Sequence, residues 1–350
     1  MKKNTVFFLG AGASAAFGYP LTGALMVEAW NKLKKNPKKN AELIDLLQLI
    51  YPRLGIDIHE QNIPGIVEVL SLIDYSSFYG IPPHSKIGKN KLPVLKELMI
   101  NALISMLIDY DNESWDSMDS IEAIQEENFI AFKMHIKNEL SQNNVTFITT
   151  NYDLTIDIIL RELKKIGKID YGIPYRNFKN GHIVKSLQDA GIQYYKLHGS
   201  HNWMRCPICG FYYINPYGCI SHQYFVLETT EHNTCECNDD EKLQPVMIAP
   251  STIRDIRDPN LLQIWNAAQE SIRLADSINF IGYSLPAEDI AIKSMLLRGL
   301  NANHKFRKGK LSVKVVQQSD ASRNAYENLI TRGELIYINE GLQSWLKVVK

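Results

Sequence analysis

The sequence has little that would send it to a membrane or to a nucleic acid. Lys and Arg total 38 and Asp and Glu total 38, so there is no net field to hold a phosphate backbone. The one dense basic run, Lys34 to Lys39 (KKNPKK), reads as a solvated loop. No apolar run approaches the ~20 residues of a membrane helix. The short run after Lys2 and Lys3 ends at Gly10, too early for a secretory leader, so a cytoplasmic protein is expected. Cysteine is missing from most of the chain: all five fall between Cys206 and Cys237. Clustering of that kind in a reducing compartment excludes a disulfide framework and favours a metal site. Internal repeats and low-complexity tracts are absent as well.

What is present is an alternation of strands and helices. Thr5–Leu9 (TVFFL), Val145–Thr149, Gln193–Leu197, Val246–Ala249, Ser277–Gly282 and Leu311–Gln317 are apolar or β-branched runs of strand length, and Glu334–Ile338 is a last short candidate. Helical spacing runs through Tyr152–Ile166, Leu261–Ala275, the segment after Gly282 up to Leu300, and Ala321–Arg332. Residues 21–140 are predicted almost wholly helical. The expected class is α/β: a Rossmann-like, mostly parallel sheet with helices on both faces, an inserted helical region and a small zinc-ribbon module. The expected boundaries are 1–20 and 141–350 for the Rossmann-like domain, 21–140 for the insertion and 203–243 for the ribbon.

The first strand runs into Gly10-Ala11-Gly12-Ala13-Ser14, a turn that opens a helix. Such a turn brings backbone close to a pyrophosphate at a helix N-terminus. It also serves as a plain tight turn in many α/β proteins. The Gly-Lys-Ser/Thr ending of a phosphate-transfer loop is missing. A dehydrogenase would need a second strand ending in an acid ~20 residues on; here that region is helical, and Glu28 lies inside the helix pattern.

Four more stretches fall at the ends of predicted strands, where open α/β sheets bind ligands. They are Thr149-Thr-Asn-Tyr-Asp153, Lys196-Leu-His-Gly-Ser200, Gly282-Tyr-Ser-Leu285 and Gln317-Gln-Ser-Asp320. Each has a structural reading too. Asn151 and Asp153 could cap the following helix, His198 could be a core histidine, and Gly282 could be only a turn. The set, in this order and with GAGAS before it, resembles the sirtuin family, and within it the bacterial antiphage-defence branch that consumes NAD+. The resemblance runs from Phe7 to about Asp320 and is weakest across the helical region.

That resemblance implies NAD+ as substrate and cleavage of its nicotinamide–ribose bond. Asn151, His198 and Asp153 would be the catalytic residues. Gly10, Ala11, Gly12, Ala13 and Ser14 would face the phosphates, with Gly199, Gly282, Ser284, Gln317 and Asp320 completing the cofactor pocket. The Pro-Asp-Phe-Arg stretch of deacylating sirtuins is replaced by Gly18-Tyr-Pro-Leu-Thr22. Water is then the expected acceptor, and nicotinamide and ADP-ribose the products. The alternatives are an NAD-dependent protein deacylase and a sensor subunit that binds NAD+ or ADP-ribose without cleaving it. The resemblance further implies a homo-oligomer, a role in NAD+ depletion and a nearby partner ATPase.

The cysteines add a structural site. Cys206-Pro-Ile-Cys209 followed by Cys235-Glu-Cys237 supplies four sulfurs for a tetrahedral Zn2+, with Cys219, His222 or His232 as possible substitutes. A closed set of four thiolates leaves no position for water, so this zinc would be structural. The segment after Gly210 is expected to contribute two short strands.

Overall fold

The computed structural model describes residues 2–55, 63–115, 123–165, 169–177, 183–184, 191–215, 234–235, 237–248, 250–251 and 258–348. Its centre is a seven-stranded parallel sheet. In chain order the strands are β1 (Asn4–Leu9), β2 (Asn144–Thr149), β3 (Ile169–Asp170), β6 (Ile192–Lys196), β12 (Ser277–Ile281), β13 (Ser312–Val316) and β14 (Glu334–Ile338). Across the sheet they run β14-β13-β12-β1-β2-β6-β3. From β1 the chain lays β2, β3 and β6 on one side, with β6 inserted between β2 and β3, and then crosses to β12, β13 and β14 on the other, so the topological switch lies between β1 and β12. Open parallel sheets form their ligand crevice at that point.

The alternation of side chains along β1 places helices on both faces. Phe7 meets Phe147 and His135, the latter on α6 (Ala123–Gln142). Phe8 points the other way and meets Phe280 and Tyr283. On that second face Tyr195 of β6 approaches the helix Pro259–Leu274, which we label α8. Asp258 caps α8 by accepting from the backbone N–H groups of Asn260 and Leu261. Phe7, Phe8, Phe147 and Phe280 are fully buried, each contributing ~2–3 kcal/mol of transfer free energy.

Between β1 and β2 every described element is helical: α1 (Ala11–Ala15), a 3-10 turn (Thr22–Ala24), α2 (Leu25–Lys35), α3 (Ala41–Ile50), a second 3-10 turn (Pro52–Gly55), α4 (Ile66–Tyr79), α5 (Lys91–Trp115) and α6. None of the described helices is long and apolar enough to cross a membrane. Phe17, just past α1, stacks on Phe132 of α6 and joins the two ends of this block, while His135 of α6 ties it to the sheet through Phe7.

A second sheet was not foreseen. It has the order β11-β7-β8-β4-β5, built from β4 (Tyr175–Asn177), β5 (Ile183–Val184), β7 (Gly199–Arg205), β8 (Tyr212–Ile214) and β11 (Gln244–Met247), while β9 (Thr234–Cys235) and β10 (Asn238–Lys242) pair with each other. The predicted strand at Val246–Ala249 therefore does not join the parallel sheet. The observed strand is Gln244–Met247, overlapping it only at Val246 and Met247, and it pairs antiparallel with β7. The sequence pattern could not separate the two outcomes because a short apolar run carries no pairing direction. Strand β3 was also unforeseen, being only two residues long.

Candidate functional site

The loop Thr150–Leu154 leaves β2 and precedes α7 (Thr155–Glu162). The predicted helix from Tyr152 begins only at Thr155. The reason is visible in the loop's carbonyls, which are claimed from outside. His198 Nδ1 lies 2.9 Å from the Thr150 carbonyl. Ser200 Oγ donates to the Tyr152 carbonyl at 3.0 Å, and His201 Nδ1 lies 2.8 Å from the same oxygen. The Lys196 ammonium donates to the Asp153 carbonyl at 2.8 Å. Side chains of β6, β7 and the turn between them thus replace the hydrogen bonds a helix would have made.

Asn151 is held just as firmly. Its Nδ2 donates to the Gly10 carbonyl at 2.8 Å and to Ser14 Oγ at 2.7 Å. Ser14 Oγ donates onward to Asp153 Oδ2 at 2.6 Å. Asp153 Oδ1 accepts from the Thr155 backbone N–H at 3.0 Å. So Asp153 does serve the start of α7, as a capping reading requires, and it also anchors Ser14. Because a carbonyl only accepts, the Gly10 contact sets the amide orientation of Asn151, leaving its Oδ1 as the group on offer. The same logic puts the proton of neutral His198 on Nδ1, which makes Nε2 the basic nitrogen.

These groups open onto one cleft of about 360 Å³. Ala11, Ser14, Asn151, Asp153, His198, Gly282 and Ser284 all line it, so four separate stretches of sequence meet there. The helical block supplies the opposite wall through Thr22, Ile66, Val67 and Leu107. Tyr152, Tyr283, Glu288 and Asp289 also line it, and the sequence pattern had assigned them no role. Their only sequence signal is position: Tyr152 and Tyr283 lie inside TTNYD and GYSL, and Glu288 and Asp289 follow GYSL directly in Pro286-Ala-Glu-Asp289. Among the described lining residues the formally charged side chains are Asp153, Glu288 and Asp289, with no Lys or Arg. A phosphate entering here would be met by hydroxyls and backbone N–H groups rather than by cations.

The glycines have a tighter purpose than ligand access. The β1–α1 turn and the β12 turn interlock backbone to backbone. A Cβ on Gly10 would lie 2.5 Å from Tyr283 Cα, and one on Gly282, whose φ is 63°, would lie 2.0 Å from the Ala13 nitrogen. The Gly12 N–H donates to the Gly282 carbonyl and the Ala13 N–H to the Gly10 carbonyl, both at 2.9 Å. Those two donors are already engaged, and Ala11 and Ser14 are the turn residues that face the cleft.

Three sequence-predicted binding residues lie elsewhere. Gly199 sits at φ 74° where β7 meets β11, and a Cβ there would lie 2.1 Å from the Val246 carbonyl. Gln317 is buried and its Nε2 donates to the Tyr283 carbonyl. Asp320 is exposed and bonded to Arg323 and Asn339, whose hydrogen bonds hold its carboxyl below the usual range. None of the three lines the cleft.

The four cysteines named for zinc come together. Cys206 and Cys237 sulfurs are 3.5 Å apart, Cys209 and Cys235 sulfurs 3.6 Å, and all four lie within 4.8 Å of one another. A tetrahedron with Zn–S bonds of ~2.3 Å has edges of about 3.8 Å, so the set fits that ion. Burial pushes the Cys235 thiol up, but hydrogen bonds from the Tyr213 hydroxyl and from Cys237 outweigh it and bring it down to about 7. Hydrogen bonds with the Cys235 and Cys206 thiols push Cys237 up to about 12. A divalent cation would remove this conflict by stabilising every thiolate together. Cys219, His222 and His232 lie outside the described residues. Of the two strands expected after Gly210, Tyr212–Ile214 is one, and residues 216–233 are outside the described set.

No family model matches the chain and no curated protein matches it. Solved structures do align over nearly its whole length. A structure of Sir2Tm bound to a propionylated peptide shares 12% identity over 99% of this chain and 92% of its own, with a TM-score of 0.44. A structure of Sir2 bound to acetylated peptide gives the same four values. A third, described as the structural basis of sirtuin substrate affinity, shares 12% over 99% and 93%, with a TM-score of 0.45. At these values the site stands on its own residues: a sheet-edge cleft with a locked asparagine, a tautomer-fixed histidine and an acidic lining, beside a four-sulfur module.

Proposed function

We propose that this protein is an NAD+ hydrolase that cleaves the nicotinamide–ribose bond to give nicotinamide and ADP-ribose. The observation that carries the reading is that Asn151 and His198 share one cleft in fixed orientations, each set by a carbonyl that admits only a donor. The acidic lining suits the positively charged nicotinamide ring of NAD+. In the proposed reaction the C1′–N bond breaks and its electron pair neutralises the ring nitrogen. The resulting oxocarbenium-like centre is attacked by water. Asn151 Oδ1 accepts a hydrogen bond from that water or from a ribose hydroxyl, and His198 Nε2 takes the proton released as the C1′–O bond forms. Asp153 and Ser14 hold the asparagine in place and stay outside the proton transfer.

The wider role follows from the motif resemblance. We infer a cytoplasmic, oligomeric enzyme that depletes NAD+ in infected bacterial cells, restrained until triggered through a partner such as an ATPase. Residues 21–140 are proposed as an insertion and 203–243 as a zinc ribbon within a domain of 1–20 and 141–350. A protein deacylase is the second reading, since its chemistry begins with the same bond cleavage; the missing acid–arginine stretch after the glycine turn weighs against it. A non-catalytic NAD+ or ADP-ribose sensor is the third.

The test is chromatography of NAD+ incubated with the purified protein, beside Asn151→Ala and His198→Ala. Nicotinamide and ADP-ribose forming with the wild type alone is the expected result. NAD+ bound in calorimetry but intact after incubation with every oligomeric form would replace hydrolase by sensor.

A further inference from the structure

Beneath the Thr150–Leu154 loop lies a charge pair with no route to solvent. The Lys196 ammonium is 3.2 Å from Asp157 Oδ2, and the two side chains are 0% and 2% exposed. The Tyr171 hydroxyl donates to Asp157 Oδ1 at 2.7 Å, and the Tyr194 ring lies 5.4 Å from the ammonium. Burial, and then the Asp157 carboxylate, raises both tyrosine hydroxyls well above their usual pKa. A sealed ion pair is a poor way to gain stability, because the desolvation of both ions offsets their attraction, and apolar residues of like volume often do as well. Its presence calls for a role that an apolar pair could not fill.

The third contact of the ammonium supplies one. Lys196 Nζ donates to the Asp153 carbonyl at 2.8 Å. Lys196 itself lies two residues before His198 on the end of β6. One rigid side chain therefore spans the two backbone segments that carry the site: the segment with Asn151 and Asp153, and the segment with His198. Asp157 holds the ammonium from the far side and Tyr171 holds Asp157. Neither Lys196 nor Asp157 lines the cleft.

We propose that Lys196 is a positioning residue, which sets the distance between His198 and the Asn151 loop through the Asp153 carbonyl, with Asp157 orienting it. The proposal rests on the hydrolase reading for its kinetic consequence but not for its structural one. The test variant is Lys196→Met with Asp157→Asn. It strands no charge and leaves Tyr171 an acceptor, but it deprives the Asp153 carbonyl of its donor.

The variant should melt cooperatively and bind NAD+ within about threefold of the wild type. Its kcat should fall by about tenfold or more, since small misplacements of reacting groups are costly. Hydrogen exchange over residues 150–155 should quicken. Tyr171→Phe keeps the Lys196 donor and should keep kcat, even if it melts earlier. If the methionine variant does not fold, Lys196→Leu with Asp157→Asn, which also removes the donor, is read the same way. A folded variant with wild-type kcat and unchanged exchange overturns the proposal. If the wild type leaves NAD+ intact, the hydrolase reading fails alone, and the exchange measurement still decides whether Lys196 positions the loop.

Discussion

Two halves of one sheet edge behave differently. The ends of β1, β2, β6 and β12 deliver Ser14, Asn151, His198 and Ser284 into a common cleft. The ends of β13 and β14 stand at the same edge, yet Gln317 is spent on the Tyr283 carbonyl and Asp320 on Arg323 and Asn339. A polar residue at the C-terminal end of a parallel strand is therefore a candidate and no more. What separates the halves is the switch in strand order between β1 and β12, which parts the connections and leaves a crevice. Past that crevice the turns after β12, β13 and β14 bond to one another instead.

The largest expected effect tests the first half directly. His198→Ala should lower NAD+ turnover by ~10²-fold or more with a cooperative melt retained, because a fixed proton acceptor contributes that much. A folded variant with full turnover would remove the histidine from the chemistry. The cysteine module offers a control outside the edge. Elemental analysis should find one zinc per chain, and Cys206→Ser should lose the metal and lower the melting temperature, since metal binding of this kind is coupled to folding. Zinc retained at wild-type stoichiometry would move the ligand set elsewhere.

Ser14→Ala sharpens the comparison within the working half. It leaves the Asp153 carboxylate and the Asn151 amide each short of one buried partner, and should cost ~1–3 kcal/mol in denaturant titration. Turnover should drop less than for His198→Ala, because the Gly10 carbonyl still orients Asn151. Equal losses would show that Ser14 takes part in the chemistry itself. The smallest effect belongs to the other half: Asp320→Asn should leave both turnover and NAD+ affinity unchanged. A loss of affinity there would extend the site to the β13 end and dissolve the contrast.

Much of the site was legible beforehand because its residues come in short clusters next to strand ends. Asn151, Asp153 and His198 needed only the β2 and β6 patterns to be placed at the edge. The four zinc-type cysteines needed only their spacing. Lys196 was visible as a letter in KLHGS but not as a group with a role, since its partners Asp157 and Tyr171 carry no motif. The strand Gly199–Arg205 escaped because Gly, Ser, His and Asn do not look like a strand. It forms because β8 and β11 flank it and because Gly199 can take φ 74° against the Val246 carbonyl.

Local chemistry by itself determined the parallel-sheet strands longer than two residues, the helical stretch between β1 and β2, the cysteine cluster and the residue types available for catalysis, because each depends on near neighbours along the chain. Which of those residues share a cleft was decided only by the tertiary structure. Strand order, the interlocking of Gly10 and Gly12 with Gly282, and the buried Lys196–Asp157 pair are contacts between segments far apart in sequence. No periodicity or spacing encodes them, and they exist only once the sheet has closed around them.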